Sequence, residues 1–226
     1  RNLMEKLPGI KHISFLGQYP MARIEYGDDL PVRVSLSAFS PFIPLNQKDS
    51  ALPIAFLIFT LQNQSDEPLD VSLMASLQNA VGWDGLTPIS DVTNSLYGGN
   101  RNILIRRSGA SILLMDNPLL EDGSFRKGEM ALAVLSDPVS ARPQWDDLES
   151  LWDDFKTDGK LVPDQPGSSP AGKTWNGALC ASLNMKPGES REVVFAIAWH
   201  FPNRYVNWYQ RGLGVSDEKT KCVCHS

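Results

Sequence analysis

The densest group of carboxylates in the chain is Asp146, Asp147, Glu149, Asp153 and Asp154. Two carboxyl groups facing one glycosidic bond can act as acid and nucleophile, so such a cluster is the first place to look for sugar chemistry. Here the acids interleave with Trp145, Leu148, Trp152 and Phe155 at helical spacing, with Leu151 beside them. That pattern predicts the solvated face of an amphipathic helix, not a pair of reacting groups. Nucleophilic catalysis by Ser or Cys needs a histidine within reach. Only His12, His200 and His225 exist, and His200 follows Trp199 at the end of an apolar run, where a core or rim role is expected. No Gly-x-Ser-x-Gly elbow, phosphate loop or dinucleotide fingerprint occurs. Gly98-Gly99-Asn100 makes a loop that nothing marks as a phosphate cradle.

Cys222, Cys224 and His225 are residue types that bind zinc, but the paired spacing of a structural zinc site needs a second half. They read as a tail, and no metal or cofactor is expected. Cys180 lies in an apolar stretch and reads as a buried core thiol.

Aromatic residues in turn-rich segments are the remaining signal. Gly82-Trp83-Asp84-Gly85 follows one strand pattern, Lys173-Thr174-Trp175-Asn176 precedes another, and Asn207-Trp208-Tyr209 follows the last. Trp and Tyr offer flat faces to a sugar and polar edges to its hydroxyls. Trp83, Asp84, Trp175, Trp208 and Tyr209 are therefore candidates for sugar binding or for a domain interface, with plain packing as the alternative for each.

The elements that must position them are mostly strands. Val32, Val34, Leu36 and Ala38 alternate with Arg33, Ser35 and Ser37, the period of a half-buried strand. Phe39–Leu45 is too rich in proline for a central strand and reads as an edge or crossing segment. Leu52–Gln62 suits a strand buried on both faces. Asn63–Pro68 is turn-forming, and Leu69, Val71, Leu73, Ala75 and Leu77 alternate beyond it, which predicts an antiparallel hairpin. Further strands are expected at Asn102–Arg107, Ser111–Met115, Met130–Leu135, Gly177–Leu183 and Glu192–Phe201, with a Pro-Gly turn at Lys186–Glu189. One helix is predicted near Trp145–Lys156, followed by a long loop over Pro163–Gly172. The fold class is all-β: a large two-sheet antiparallel β-sandwich with one short helix.

The chain has 226 residues, 42% hydrophobic and 21% charged, enough for a sizeable core in a single unit. A net charge of −5 without a basic run excludes the electrostatic footprint of a nucleic-acid binder. The longest apolar run, Ala51–Leu61, is broken by Pro53 and falls short of the roughly 20 residues a transmembrane helix needs. The chain opens at Arg1 with no signal-peptide pattern, which is expected of a processed or trimmed start. With three cysteines, cytoplasmic localisation is expected over secretion.

Several stretches in register resemble one family. Gly17-Gln18-Tyr19-Pro20-Met21-Ala22, Val34–Leu45, Asp49–Pro53, Asn63–Asn79, Val194–Asn203 and Asn207-Trp208-Tyr209 resemble, in that order, the N-terminal domain of glycoside hydrolase family 116, which includes β-glucosidases and the non-lysosomal glucosylceramidase. The resemblance runs from about Ile13 to Tyr209 and is weakest over Leu86–Gly172. It implies a large β-sandwich packed on a C-terminal (α/α)6 barrel that carries the nucleophile Glu and the acid/base Asp, so no position here inherits a catalytic role. It also implies a sandwich domain over residues 1–209 and a tail or linker over 210–226. The expected function is that of a non-catalytic domain of a retaining β-glucosidase or glucosylceramidase-like enzyme, shaping its active-site mouth. The expected partners are its own barrel and a carbohydrate or glycolipid substrate. The alternative is a free-standing carbohydrate-binding or structural module. Phe201, Tyr205, Trp208 and Tyr209 crowd the end of the last strand, so Trp208→Ala is expected to loosen the docked domains.

Overall fold

The computed structural model describes residues 9–27, 30–164, 166–206 and 220–223. Eight strands form one antiparallel sheet in the order β1 (Ile13–Gln18), β2 (Met21–Tyr26), β3 (Val32–Phe39), β4 (Ile54–Asn63), β11 (Ser190–His200), β8 (Glu129–Leu135), β7 (Ala110–Asp116) and β6 (Arg101–Arg107). A second sheet holds β5 (Leu69–Gln78), β10 (Asn176–Met185) and β9 (Val139–Trp145), again antiparallel. β12 (Asn203–Val206) and β13 (Thr220–Val223) make a separate ribbon, so part of the expected tail pairs back on β12. The all-β, two-sheet reading holds.

The core lies between the two sheets. Leu61, Leu113, Leu132, Val134, Val193 and Phe195 point inward from the large sheet and meet Leu179, Ala181, Leu183 and Met185 of β10. Each is at most 8% exposed, and burial of a side chain of this size contributes about 1.5–3 kcal/mol for Val, Leu, Met or Phe. Phe59 and Phe195 meet edge to face with centroids 6.1 Å apart, the geometry the ring quadrupoles favour.

Asn63–Pro68 is not a hairpin turn. β4 pairs with β3 and β11, whereas β5 pairs with β10. The segment carries the chain across the roughly 10 Å between sheets. Both strands present apolar rows, Leu57, Phe59 and Leu61 on one and Val71, Leu73, Ala75 and Leu77 on the other. Those rows lose more water by facing each other across the core than by lying side by side in one sheet. Asn63, fully buried, holds the crossing: its Nδ2 donates to the carbonyls of Glu67, Met185 and Lys186, and its Oδ1 accepts from the Ser65 amide and hydroxyl. The Lys186–Glu189 turn crosses between the sheets beside it, joining β10 to β11, and is tied to the Asn63 backbone by bonds of 3.0 and 3.1 Å. β4 is also not buried on both faces. Only Leu61 and Asn63 are fully buried, because no described layer covers the side of β4 that faces away from the small sheet.

Helix α2 runs over Leu148–Asp158. Asp147 caps it by accepting from the amides of Glu149 and Ser150, and Gly159 ends it at φ 71 in the left-handed region. Trp145 closes β9 and lies outside the helix. Leu148, Leu151 and Phe155 pack on Ala178, Cys180 and Met74, on the outer side of the small sheet. Most of the acidic cluster is a solvated face, as its spacing predicts: Asp146 pairs with Lys173, Asp153 with Lys156, and Asp147 is the cap, whereas Asp154 is largely buried, 3.9 Å from Arg142 and accepting from the Val162 amide. A one-turn helix, α1 (Gln47–Ser50), capped by Asn46, was not anticipated. Nor were β1, β2 and β9; β9 contains Pro143, which an edge strand tolerates.

The connections are unequal. Residues 64–68, 108–109, 136–138 and 186–189 are short turns at one end of the sandwich, while 40–53, 79–100, 117–128 and 146–175 all leave from the other end or return to it. β11 and β12 also meet at that loop end.

Candidate functional site

Long loops on a rigid scaffold are where binding residues concentrate, so the loop end is the candidate site. Buried asparagines hold it together. Asn79, at the exit of β5, is fully buried; its Nδ2 donates to the carbonyls of Arg101 and Asp116 and to Asn102 Oδ1, while its Oδ1 accepts from the Val81 amide and Asn100 Nδ2. Asn117 Nδ2 donates to the Gly98 carbonyl, and Asn102 Nδ2 to the Pro143 carbonyl of the other sheet. An amide side chain both donates and accepts, so one Asn can substitute for a missing strand partner at several loop carbonyls. Loop 79–100 also pairs with loop 166–175, through Ser169 N to Asn100 O at 2.8 Å and Gly172 N to Tyr97 O at 2.8 Å. Gly98 makes this approach possible: at φ 137, a Cβ there would sit 2.9 Å from Ala171 Cα. These asparagines escaped the sequence reading, although their density at strand ends (Asn79, Asn94, Asn100, Asn102, Asn117) was a usable signal.

Trp83, Asp84 and Trp175 all lie at this end, and the Trp175 carbonyl accepts from the Asn79 amide at 2.9 Å. Asp84 is occupied by its own turn. Its carboxylate accepts from the Thr87 hydroxyl at 2.6 Å and from the amides of Thr87 and Leu86 at 2.8 and 2.9 Å. Trp83 Nε1 donates to the Thr87 carbonyl at 2.7 Å, and the residue is 36% exposed, so its N–H is already engaged. Trp175 is half-buried, and its indole N–H is shielded from solvent with no hydrogen-bond partner. Trp208 and Tyr209 lie outside the described residues, as do Cys224, His225 and the side chain of Cys222.

The bonds from Thr87 and Leu86 hold the Asp84 carboxyl down at about 2, against an ordinary value of 3.8. Because the folded value is the lower one, ionised Asp84 supports the turn fully above pH 3.8 and loses that role as pH falls through about 2. A carboxyl-carbon NMR titration is expected to place Asp84 near 2, with Trp83 fluorescence unchanged down to about pH 3. Titration at the ordinary carboxylate value would dismantle the turn assignment.

Beside these loops is a cleft of about 540 Å3 at the ends of β7, β8 and β11. Arg101 and Asp116 form a bidentate pair in it, at 2.6 and 2.7 Å, and Lys127 pairs with Asp122 at 2.6 Å, holding that carboxyl below its ordinary range. Asn203 donates to the carbonyls of Asp122 and Ser124 and so anchors β12 to the 117–128 loop. Glu129 and His200 are cross-strand neighbours on its wall. They also border an apolar groove of about 280 Å3 that includes Ile54, Met130, Ala198 and Trp199. The cleft mixes donors and acceptors of both charges, which suits a neutral polyhydroxyl group better than a phosphate or a cation. Among the described residues, no group of three or more His, Cys, Asp or Glu side chains is placed to hold a metal, and no helix is long and apolar enough to cross a membrane. Cys180 is buried beneath α2, where burial raises its thiol above the ordinary range.

Residues 3–220 match the family model described as beta-glucosidase 2, glycosyl-hydrolase family 116 N-term. Among solved structures, a putative kojibiose phosphorylase from the human microbiome aligns over 80% of this chain and 17% of its own, at 10% identity and TM-score 0.39. A polysaccharide lyase aligns over 79% and 21%, at 12% identity and TM-score 0.41. A putative aldose 1-epimerase from Klebsiella pneumoniae aligns over 83% and 53%, at 10% identity and TM-score 0.38. The chain thus spans about a fifth of the first two proteins and about half of the third. With the family model covering nearly its whole length, the chain belongs to glycosyl-hydrolase family 116, as an N-terminal domain of that family.

Proposed function

We propose that this domain is the non-catalytic part of a retaining β-glucosidase of the glucosylceramidase type, docking by its loop end on the enzyme's own C-terminal helical barrel and forming part of the active-site mouth. The observation that carries the reading is a set of exposed apolar side chains on the loops of this end, although β1 also exposes Ile13, Phe15 and Leu16. Leu45, Leu86, Leu119, Phe125 and Trp199 are 106%, 80%, 76%, 46% and 41% exposed, and all belong to the loop end. Large apolar side chains gathered on one surface mark an interface. Four charged groups of the cleft support a positioning role over a reacting one, because Arg101, Asp116, Asp122 and Lys127 are already paired. The substrate would be a carbohydrate or glycolipid held mainly by the barrel.

The test uses the full-length enzyme and the isolated 226-residue chain side by side. The chain alone is expected not to hydrolyse aryl β-glucosides. Leu86→Ser with Leu119→Ser is expected to leave the isolated chain within about 0.5 kcal/mol of its original stability, yet to lower melting temperature and turnover of the full-length enzyme. Turnover by the isolated chain that an Asp or Glu substitution abolishes would overturn the reading, as would a full-length double variant that behaves like the parent. The second reading, a carbohydrate-binding module, draws on the partly exposed Trp83 and on the mixed-charge cleft. Calorimetric titration of the isolated chain with glucosides and β-glucans favours it if heat of binding is lost in Trp83→Ala.

A further inference from the structure

The cleft and the apolar groove at the loop end form one bipartite cavity. They meet at Glu129 and His200, cross-strand neighbours that line both. The cleft side, about 540 Å3, is polar. Arg101 pairs with Asp116 and Lys127 with Asp122, so these four charges cancel and select neither an anion nor a cation. They keep hydrogen-bonding capacity: Arg101 directs Nε and one Nη at Asp116 and has further N–H groups, and each carboxylate oxygen accepts more than one bond. A hydroxyl donates and accepts at once, so a ring of hydroxyls matches this wall.

The groove side, about 280 Å3, follows from residue size on neighbouring strands. Leu113, Leu132, Val193 and Phe195 point into the core, so the residues alternating with them face outward. In one outward row, Ile54, Ala198, Ala131 and Leu114 are successive cross-strand partners on β4, β11, β8 and β7. The two middle strands carry methyl groups there and the two flanking strands carry branched side chains, so the row dips at its centre. Pro53 and Trp199 make the rim, held together by the Trp199 amide, which donates to the Pro53 carbonyl at 3.0 Å. The next outward row is Phe56, Ala196, Ala133 and Ile112. There Ala196 is 6% exposed, so the dip is closed and the groove ends.

We propose that this cavity binds a neutral glycoside with one small apolar aglycone. The sugar hydroxyls lie in the cleft against Arg101, Asp116, Glu129 and His200, and an aryl ring or a short alkyl chain lies on Ala131 and Ala198. Glu129 and His200 determine specificity, because they stand at the junction, where sugar gives way to aglycone. Size sets the limit on the apolar part. A cavity of about 150 Å3 accepts benzene, so the 280 Å3 groove admits one ring or one short chain and not the paired long chains of a membrane lipid. The proposal extends the second functional reading, in which the cleft holds a sugar, and rests on it. It does not require a docked barrel.

Calorimetric titration of the 226-residue protein with methyl, phenyl, hexyl and dodecyl β-glucosides, each below its micelle concentration, tests it. Phenyl and hexyl glucosides are expected to bind about tenfold or more tightly than methyl glucoside, because the groove takes their carbons out of water. Dodecyl glucoside is expected to stay within about threefold of hexyl, because carbons beyond the groove remain in water. In protein labelled at its alanine methyls, hexyl glucoside is expected to shift the Ala131 and Ala198 resonances. Ala131→Leu fills the groove and is expected to bring hexyl glucoside down to the affinity of methyl glucoside. The methyl shifts need no variant, so the test survives even if Ala131→Leu does not fold. Equal affinity for methyl and hexyl glucosides overturns the proposal and leaves the sugar reading standing. Affinity that keeps rising to dodecyl, or a gain without Ala131 and Ala198 shifts, means adsorption elsewhere on the apolar face and also overturns it. Failure of every glucoside to bind removes both the proposal and the sugar reading.

Discussion

Asn79→Leu is expected to destabilise the domain by about 3–5 kcal/mol, because it removes the amide while keeping the branched shape. Asn79 has no exposed surface and touches five polar groups at once. After substitution the carbonyls of Arg101 and Asp116 and the amide of Val81 lose this partner inside the protein, and each buried polar group left unsatisfied costs about 1–3 kcal/mol. Relaxation recovers part of that sum, since Asn100 Nδ2 keeps its bond to the Val81 carbonyl at 2.7 Å. Urea unfolding of the wild-type and variant chains reads the difference directly. The exposed Asn184, whose side-chain amide donates to the Asp70 carboxylate, is the comparison: its Ala variant should fall within about 0.5 kcal/mol of the original. If Asn79→Leu matched that small effect, the amide network would not be what holds loops 79–100 and 117–128 to the sheets.

Phe195→Ala is expected to cost about 3–5 kcal/mol, the range for deleting a fully buried aromatic. Its ring is completely buried on β11, edge to face with Phe59, and β11 is flanked by β4 and β8. Paired strands on both sides hold this position, so the cavity cannot collapse easily. In a chain of this length, each kcal/mol moves the melting temperature by about 2–4 °C, which puts the expected drop at roughly 6–20 °C. Phe195→Leu conserves most of the volume and should cost about 1 kcal/mol. Calorimetric melting of the pair separates loss of packing from general intolerance at the site. An Ala variant no worse than the Leu variant would mean that the two sheets do not meet at Phe195.

Much of the architecture was legible from residue spacing. The alternation in Val32–Ala38 became β3 with Leu36 inward, and the Pro-Gly signal at Lys186–Glu189 became a turn. The helix appeared within the predicted stretch, though it starts at Leu148 and not at Trp145, and the Cys180 thiol was buried. β1, β2 and β9 were missed for reasons the structure makes plain. β1 is exposed along its whole length, so no buried face imposed an apolar alternation, and β9 carries a proline that only an edge position permits.

At the loop end the sequence was less informative. Trp83 and Asp84 stood out because of their chemistry, but whether their polar groups are free depends on Thr87, which folds back on both. The asparagines did not stand out, because an Asn in a turn and an Asn bridging three strands have the same neighbours in sequence.

The sequence by itself determined the apolar alternation of most of the strands, the presence of the helix that packs on the small sheet, the family, and the lack of a recognisable catalytic motif. These follow from local periodicity, from side-chain chemistry and from several matched segments in order. Only the tertiary structure decided that Asn63–Pro68 crosses between sheets and that the long connections gather at one end. Every strand offers the same backbone donors and acceptors, so hydrogen bonding does not say which strands pair. That choice belongs to burial, which brought the apolar rows of β4 and β5 face to face across the core and set β5 beside β10 instead of β4.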